Sequence, residues 1–527
     1  MALKTGKVII AKNIKLDKAY KDVLDYTEAQ MLALVNTNKV TEALNCSFIR
    51  VGENTIDTSF SYNDALKCNY LAMQNPFYSN KWFFAFIDSV EYISDGNSRI
   101  HYTIDEFSTW YDYWNPKECF VIREHVNDDT VGLHTVPEDL ELGEYAIQNE
   151  YYDNTFNDYV YLLNASVQPS KDSSGNVVTG NLSTDIGNYA IAGNIYVFPT
   201  IYSLTQVLLL YSNNGLSDNI NTVWLVPKAL ITNFDKSILH WQGQSDPFQK
   251  EFTIDKDNTL FGYTPKNNKL LTYPYKYLLM SNNAGSSVVL NWEGWAGNQA
   301  KIQYWGIPSV GGSIFAFPID YYNASKAYQF GLMGAKFPTL SWSEDSYTNW
   351  LTQNAVNLGI GIAQDALQVV SGIGMIASGE GALAGAGMLA NTGVTIASQV
   401  AQVYQHSLVP VSAKGNINGG DILTAMNRNC YIYYGMSIRP EYAKICDNYL
   451  TRKGYKVNVI KKPNQTGRPY WNFVQIGSEE NIGYSTNINM SVPASSMDII
   501  NNIYRSGVTI WHSHDNLGNY SLDNSLQ

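Results

Sequence analysis

Residues 337–413 contain neither lysine nor arginine, and within them 355–404 reads as two membrane-length apolar segments around a Gly379-Glu380-Gly381 turn. A spanning helix needs about 20 predominantly apolar residues, and 355–378 and 381–404 both reach that length. Leu358, Ile362, Ala366, Val369, Ile373 and Ile376 recur at spacings of three and four, as do Leu383, Ala386, Ala390, Val394, Ala397 and Ala401. That is helical periodicity; Leu389, Ile396 and Val400 add apolar bulk to the second segment. Small residues four apart, such as Gly381 and Gly385, let helix backbones approach closely. The only charges are Asp365 and Glu380, and Asp365 alone would cost about 2.5–3.5 kcal/mol at a bilayer centre. With Ala, Gly, Ser and Gln replacing much of the expected Leu and Ile, the run implies conditional insertion rather than a permanent anchor. The alternative is a helical hairpin packed in the core of a soluble domain, and the residues leave both open. The glycines at 379–385 lack the dinucleotide-binding spacing, and no Lys-Ser or Lys-Thr follows for phosphate contact.

At 527 residues the chain has length for about three or four domains. A net charge of −12 argues against tight binding to phosphate backbones, which needs a positive surface. Aromatic residues make up 13% and charged residues only 16%, a balance that suits extensive protein–protein contact. Cys46, Cys68, Cys119, Cys430 and Cys446 are odd in number and scattered, so free thiols of a reducing compartment are expected. The first residues, MALKTGKVII, lack the apolar core of a secretory signal.

The pattern is mainly β with some α. Trp82, Phe84 and Phe86 alternate, Val90 and Tyr92 resume in shifted phase, Ser94–Asn97 supplies turn chemistry, and Ile100, Tyr102 and Ile104 return; this predicts a hairpin over 82–104. A helix is expected over 25–35 and another from Arg439 to Arg452. Short strands are expected at 195–198, 206–211, 287–290, 430–434, 456–460 and 471–476, and the polar tail after Trp511 is expected to fray.

Few residues suggest chemistry. His512, His514 and Asp515 could begin a zinc site, but no further histidine or cysteine cluster completes a tetrahedron. His125 beside Glu124, and Asp105 beside Glu106, could serve acid–base catalysis, although nothing places them in a cleft. No catalytic residue, metal site or cofactor is therefore assigned, and the chain does not read as an enzyme. Arg452, Lys453, Lys456, Lys461, Lys462 and Arg468 form a basic patch suited to DNA or, better in so acidic a chain, to an acidic neighbouring subunit.

Three motifs point to one family. The first is Cys68-Asn69-Tyr70-Leu71 followed by residues 80–87 around Trp82. The second is Ile104-Asp105-Glu106-Phe107-Ser108-Thr109-Trp110 followed by Arg123-Glu124-His125. The third is Gly454-Tyr455-Lys456-Val457-Asn458, then Pro463-Asn464, Arg468 and residues 471–474. Together they resemble the tail-knob proteins of small short-tailed phages of the picovirus group, which infect Gram-positive bacteria.

The resemblance implies a homohexameric distal tail tube. Its wall would be a β-barrel built from the N-terminal (1–140) and C-terminal (414–527) parts, with a β-rich knob inserted at 141–335. The apolar loop at 336–413 would plug the lumen before infection and then penetrate the host membrane. Implied partners are the proximal tail or connector protein, host membrane lipids, and phage DNA passing without specific binding. The protein would be assembled in the host cytoplasm and reside in the virion. The competing reading is an adhesin whose aromatic loops in 140–340 contact host wall polymers.

Overall fold

The computed structural model describes residues 6–46, 50–52, 54–171, 177–183, 194–199, 203–204, 207–208, 211, 219–231, 239–241, 248–283, 285–337, 339–340, 431–477, 489–490 and 492–526. The helical hairpin expected between Leu358 and Val400 lies outside these residues. The chain divides into two units, one comprising 1–144, 259–275 and 438–527, the other 145–258 and 276–437. Residues 259–275, which the sequence reading put inside the inserted region, thus belong with the N- and C-terminal parts.

The first unit contains a seven-stranded sheet made entirely from the N-terminal part. Its order is Lys39–Cys46, Gly6–Ala11, Tyr70–Asn75, Lys81–Ser94, Asn97–Ile104, Thr55–Thr58 and Arg50–Gly52. The expected hairpin is its centre, turning at Asp95-Gly96. The shift of phase is a bulge: Ile87 pairs with Tyr102 and Ser89 with His101, leaving Asp88 between them. Asp88 uses its freedom to accept from Lys18 Nζ at 2.7 Å and Thr103 Oγ1 at 2.6 Å. The bulge also redirects burial: Phe84 and Phe86 are buried whereas Tyr92 is exposed.

The second sheet of this unit interleaves both ends of the chain, in the order Asp22–Leu24, Val508–Trp511, Trp471–Ile476, Cys119–Glu124 and Tyr455–Lys461. Val121 faces Val459 on one side and Ile476 on the other. Asp22–Leu24 runs parallel to Val508–Trp511, and the other pairings are antiparallel. Phe107, Val121, Leu450, Tyr455, Ile500 and Tyr504 share one core. Full burial of each large side chain contributes about 1.5–3 kcal/mol, so the two termini are held by apolar area as well as by strand pairing.

Two helices in this unit show how local chemistry sets the boundaries. The first runs Glu28–Thr37, three residues later than expected, because Thr27 caps it and Gln30 returns the bond, a capping box. The second is Pro440–Lys453, with proline in the first turn and Gly454 at the end in the left-handed region (φ +64°). A further helix, Ala494–Ser506, buries Ile500, Ile503 and Tyr504 where the sequence reading named none. The tail after Trp511 is not frayed. Tyr520 packs on Trp471 and Trp511 at ring-centroid distances of 5.3 and 5.1 Å. Asn524 accepts from the Tyr470 N–H at 3.0 Å and donates to Trp471 O at 2.8 Å.

The second unit is also mainly β. One sheet orders Tyr145–Tyr152, Ile432–Ile438, Lys276–Ser281 and Ser287–Leu290. Another orders Leu239–Trp241, Asn194–Phe198, Tyr159–Ala165, Ile220–Pro227 and Thr339–Leu340; a third is built on Phe248–Asp255, Gln299–Gly306 and Ile314–Tyr321. Most of the expected strands are present, but Val207, Leu208 and Tyr211 are helical. A short apolar run fits a buried helix as well as a strand, and here Leu204, Val207, Leu208 and Tyr211, at spacings of three and four, are all buried. Inside the unit, the Tyr304 and Tyr433 hydroxyls meet at 2.9 Å within a core containing Met280, Trp292 and Ile302.

Candidate functional site

The three motifs, far apart in sequence, converge inside the first unit. Asp105 caps the short helix Glu106–Trp110: its Oδ1 accepts the Ser108 N–H at 3.1 Å, and its Oδ2 accepts the Tyr70 hydroxyl at 2.6 Å and the Ser108 hydroxyl at 2.7 Å. Burial raises the Asp105 carboxyl above the usual range, against the pull of these bonds. Next to it, Thr109 Oγ1 accepts from Phe84 N at 3.0 Å, and Trp110 Nε1 donates to Glu106 Oε2 at 2.9 Å. Phe107 fills the core against Trp114 and Tyr504. Trp82 and Ile104 are half-buried on the same sheet and pack against neighbouring cores. Asp105 and Glu106, considered above for acid–base work, are thus a helix cap and an indole acceptor.

The second cluster joins the strand Cys119–Glu124 to the C-terminal segment. Arg123 Nη1 donates to Gly454 O at 2.9 Å, and its Nη2 pairs with Glu138. Glu138 also binds Lys269 and accepts the Lys456 N–H at 2.8 Å. Burial lowers the Lys269 pKa, and the charge of Glu138 opposes that shift. Glu124, fully buried, accepts the Asn464 N–H at 2.7 Å and pairs with Lys461. His125 is buried between Thr451 O, 3.0 Å from Nε2, and the Phe473 N–H, 2.7 Å from Nδ1. Because Nδ1 accepts, the proton sits on Nε2 and the ring is neutral. Burial pushes its pKa down to about 3, so the His125–Glu124 pair is structural.

Tyr455 donates to Asp129 at 2.6 Å, and burial raises its pKa first of all, with the Asp129 charge adding to the effect. Asn464 Nδ2 donates to His125 O at 2.7 Å beside buried Pro463. Arg468 Nη2 donates to Val126 O at 3.1 Å. Asn458 stands at φ +49° in the outermost strand of the sheet. Gly454 is required here: a Cβ would lie 2.2 Å from the Glu124 carbonyl and 2.4 Å from His125 N.

A family model described as the tail knob protein gp9 of Bacillus phage phi29, C-terminal domain, matches residues 234–525, more than half of the chain. The chain belongs to this phage tail knob family. A second model, the caudoviral major tail protein N-terminus, matches residues 4–115. The tail knob protein gp9 of Bacillus phage phi29 is 25% identical over 99% of this chain and 98% of its own length. That of phage PZA is 24% identical, with 91% of each covered. The solved bacteriophage C1 tail knob protein, gp12, superposes with a TM-score of 0.62 at 15% identity, covering 99% of this chain and 100% of that one, which shows a shared fold. The family role is structural: a tail component of the virion.

The converged motifs are the joint that closes the first unit of this tail protein. Sequence reasoning missed several of its members. Asp447 accepts from Tyr263 Oη at 2.6 Å, Lys266 N at 2.8 Å and Asn267 Nδ2 at 2.7 Å, fastening 259–275 to the helix Pro440–Lys453. Asp129, Glu138 and Lys269 complete it. Asp129 and Glu138 stand in polar loops and Lys269 in the short turn of helix Asn268–Leu271, where nothing local distinguishes a buried charge from a solvated one.

The remaining candidates are also spent on the fold. His512 Nδ1 meets Asp25 Oδ2 at 2.6 Å and Nε2 meets Asn472 Oδ1 at 3.0 Å, while His514 Nε2 accepts the Lys15 N–H at 3.3 Å. The two rings serve different partners, and no metal-binding group is found among the described residues. Several members of the basic patch have partners within the chain. Lys456 pairs with Asp139 at 2.6 Å, Lys461 pairs with Glu124, and Arg452 and Lys453 lie over the rings of Tyr520 and Phe473. Lys462 is exposed. Cys68, Cys119 and Cys446 are free and buried.

Proposed function

We propose that six copies of this chain form the distal tail channel through which phage DNA leaves. In this reading the apolar loop plugs the lumen and then enters the host cell membrane. The observation that carries it is the anchoring of the flanks: the membrane-length apolar sequence lies between two segments, 332–340 and 431–437, that are both fastened within the second unit. Tyr431, on the return, places its hydroxyl 2.6 Å from Ile314 O and 2.9 Å from Leu332 O, beside the outgoing segment. Phe337 N donates to Gly312 O at 2.8 Å, and Thr339–Leu340 pairs with Val223 and Trp224. A loop whose two flanks are fastened in the same unit can change conformation without unpicking the sheets that hold them.

Six mildly apolar hairpins can satisfy one another inside a tube. Released together, their small-residue faces can pack while Gln, Ser and Asp turn to a wet lumen. The −12 charge keeps DNA from adhering as it passes. The other partners in this reading are the proximal tail or connector protein and host membrane lipids.

Dye release from liposomes by the full chain and by a deletion of 355–404 tests the membrane step. Release that requires the loop is expected; none from a full chain that is folded and assembled overturns it. Image symmetry of the assembly tests the channel: a sixfold ring with an open axis is expected, whereas a trimeric appendage would favour the adhesin reading.

A further inference from the structure

In the four-stranded sheet of the second unit, burial alternates along Ile432–Ile438 and Lys276–Ser281. Tyr433, Leu278, Met280 and Leu290 belong to the core on one side, and the intervening residues point to the other. Those residues are matched in register: Met436 pairs with Tyr277, Tyr434 with Leu279, and Leu279 with Val289. Val289 is 41% exposed, and Ile147, on the neighbouring edge strand, 48%. The outward positions of Ile432–Ile438, Lys276–Ser281 and Ser287–Leu290 carry no charge. Exposed Glu150 stands in the edge strand Tyr145–Tyr152.

An antiparallel sheet with one solvated face ordinarily alternates apolar-in with polar-out. This one is apolar on both sides, and soluble proteins rarely leave contiguous apolar patches beyond about a few hundred Å² uncovered. The chain itself supplies a cover of matching chemistry. Residues 337–413 hold no lysine or arginine, and the alanines and glycines of 355–404 allow close approach to Tyr277 and Tyr434. Ile432–Ile438, an inner strand of this sheet, is the continuation of that run. The tether 405–431, extending by about 3.3 Å per residue, reaches any part of a sheet whose strands lie about 4.8 Å apart. Tethering also favours this cover over a free partner, because it sets a high effective concentration.

We propose that this sheet face is the resting seat of the apolar run 355–404 of the same chain, held there by Tyr277, Leu279, Val289, Tyr434 and Met436. The inference rests on the reading of 355–404 as a releasable loop and adds where its own chain covers it before release.

Thiol labelling of the full-length protein tests the seat. Cys46→Ser and Cys430→Ser remove two native thiols, and Cys68, Cys119 and Cys446 are buried. In that background Val289→Cys is treated with a maleimide carrying a polyethylene glycol chain. Labelling is expected to be several-fold slower in the full chain than in one lacking 355–404, and equally slow across a dilution series. Ile445→Cys, exposed in the first unit, is expected to label at the same rate in both. Should the deletion fail to fold, Leu389→Asp with Val394→Asp in the full chain replaces it and is expected to speed labelling at position 289. Equal rates with and without an intact run overturn the proposal. So does protection that fades on dilution, since a second copy would then be the cover. The measurement involves neither membrane nor ring: fast labelling with dye release intact sinks the seat alone, whereas protection without dye release counts against the membrane step alone.

Discussion

His125 Nδ1 accepts the Phe473 backbone N–H at 2.7 Å, joining positions 348 apart in the chain. The bond exists only while the ring is neutral. The pKa is depressed from 6.5 to about 3 in the folded state, so the unfolded chain binds the proton more readily between those values. The associated stability is fully present above about pH 6.5 and is lost as pH falls towards 3. Replacing His125 by Gln is expected to lower stability at pH 7 by about 1–3 kcal/mol and to flatten the decline between pH 6.5 and 3. Denaturant midpoints of the two proteins across that range check both statements; an unchanged slope would show that another group carries the acid sensitivity.

Glu138 is the counter-charge for both Arg123 and Lys269, and all three are buried. Glu138→Gln leaves two cations uncompensated. Breaking a buried pair by removing one partner costs about 3–5 kcal/mol, so this single change of one atom type is expected to unfold or severely destabilise the unit. Chemical denaturation followed by tryptophan fluorescence measures it.

Gly454 and Gly262 both have positive φ, at +64° and +81°, yet they differ in their surroundings. A Cβ at Gly454 strikes the Glu124 backbone, whereas nothing lies within 4 Å of one at Gly262. Gly262→Ala is expected to cost about 1–2 kcal/mol of backbone strain alone. Gly454→Ala adds a clash with main chain that cannot retreat and is expected to exceed about 3 kcal/mol. Comparable losses at the two sites in urea titrations would refute this distinction.

Asn524 ties the C-terminal tail to the Trp471 backbone. Asn524→Ala strands a buried carbonyl, and a cost of about 1–3 kcal/mol is expected. Limited proteolysis should then cut after Trp511 in the variant sooner than in the unaltered protein.

Burial raises the thiol pKa of Cys68, Cys119 and Cys446 to about 11. These thiols are expected to resist a disulfide reagent at pH 8 in the folded protein and to react on unfolding. Counting modified cysteines by mass spectrometry before and after denaturation decides it.

Much of the fold was legible in local patterns. The hairpin around Asp95-Gly96, the helix between Pro440 and Gly454, and the strand Trp471–Ile476 follow from alternation, capping and turn chemistry, which act over a few residues. Errors fell where local patterns are ambiguous. The run at 206–211 suits a helix as well as a strand, and Ala494–Ser506, flanked by Pro493 and Gly507, carried boundary signals in an otherwise polar stretch. The tail after Trp511 looked unstructured because its anchors, Tyr520 and Asn524, act on residues some fifty positions away.

By itself the sequence determined the mainly β class, the family motifs and the apolar character of 355–404, since periodicity and composition are properties of neighbours in the chain. Only the tertiary structure decided what the motif residues do. Arg123, Glu124 and His125 look like chemistry when read alone. Packed against Gly454, Asn464 and Phe473, they hold the two ends of the chain together. Whether a charge is a reagent or a rivet depends on what surrounds it, and residues 259–275, 438–477 and 119–138 meet only once the chain has folded.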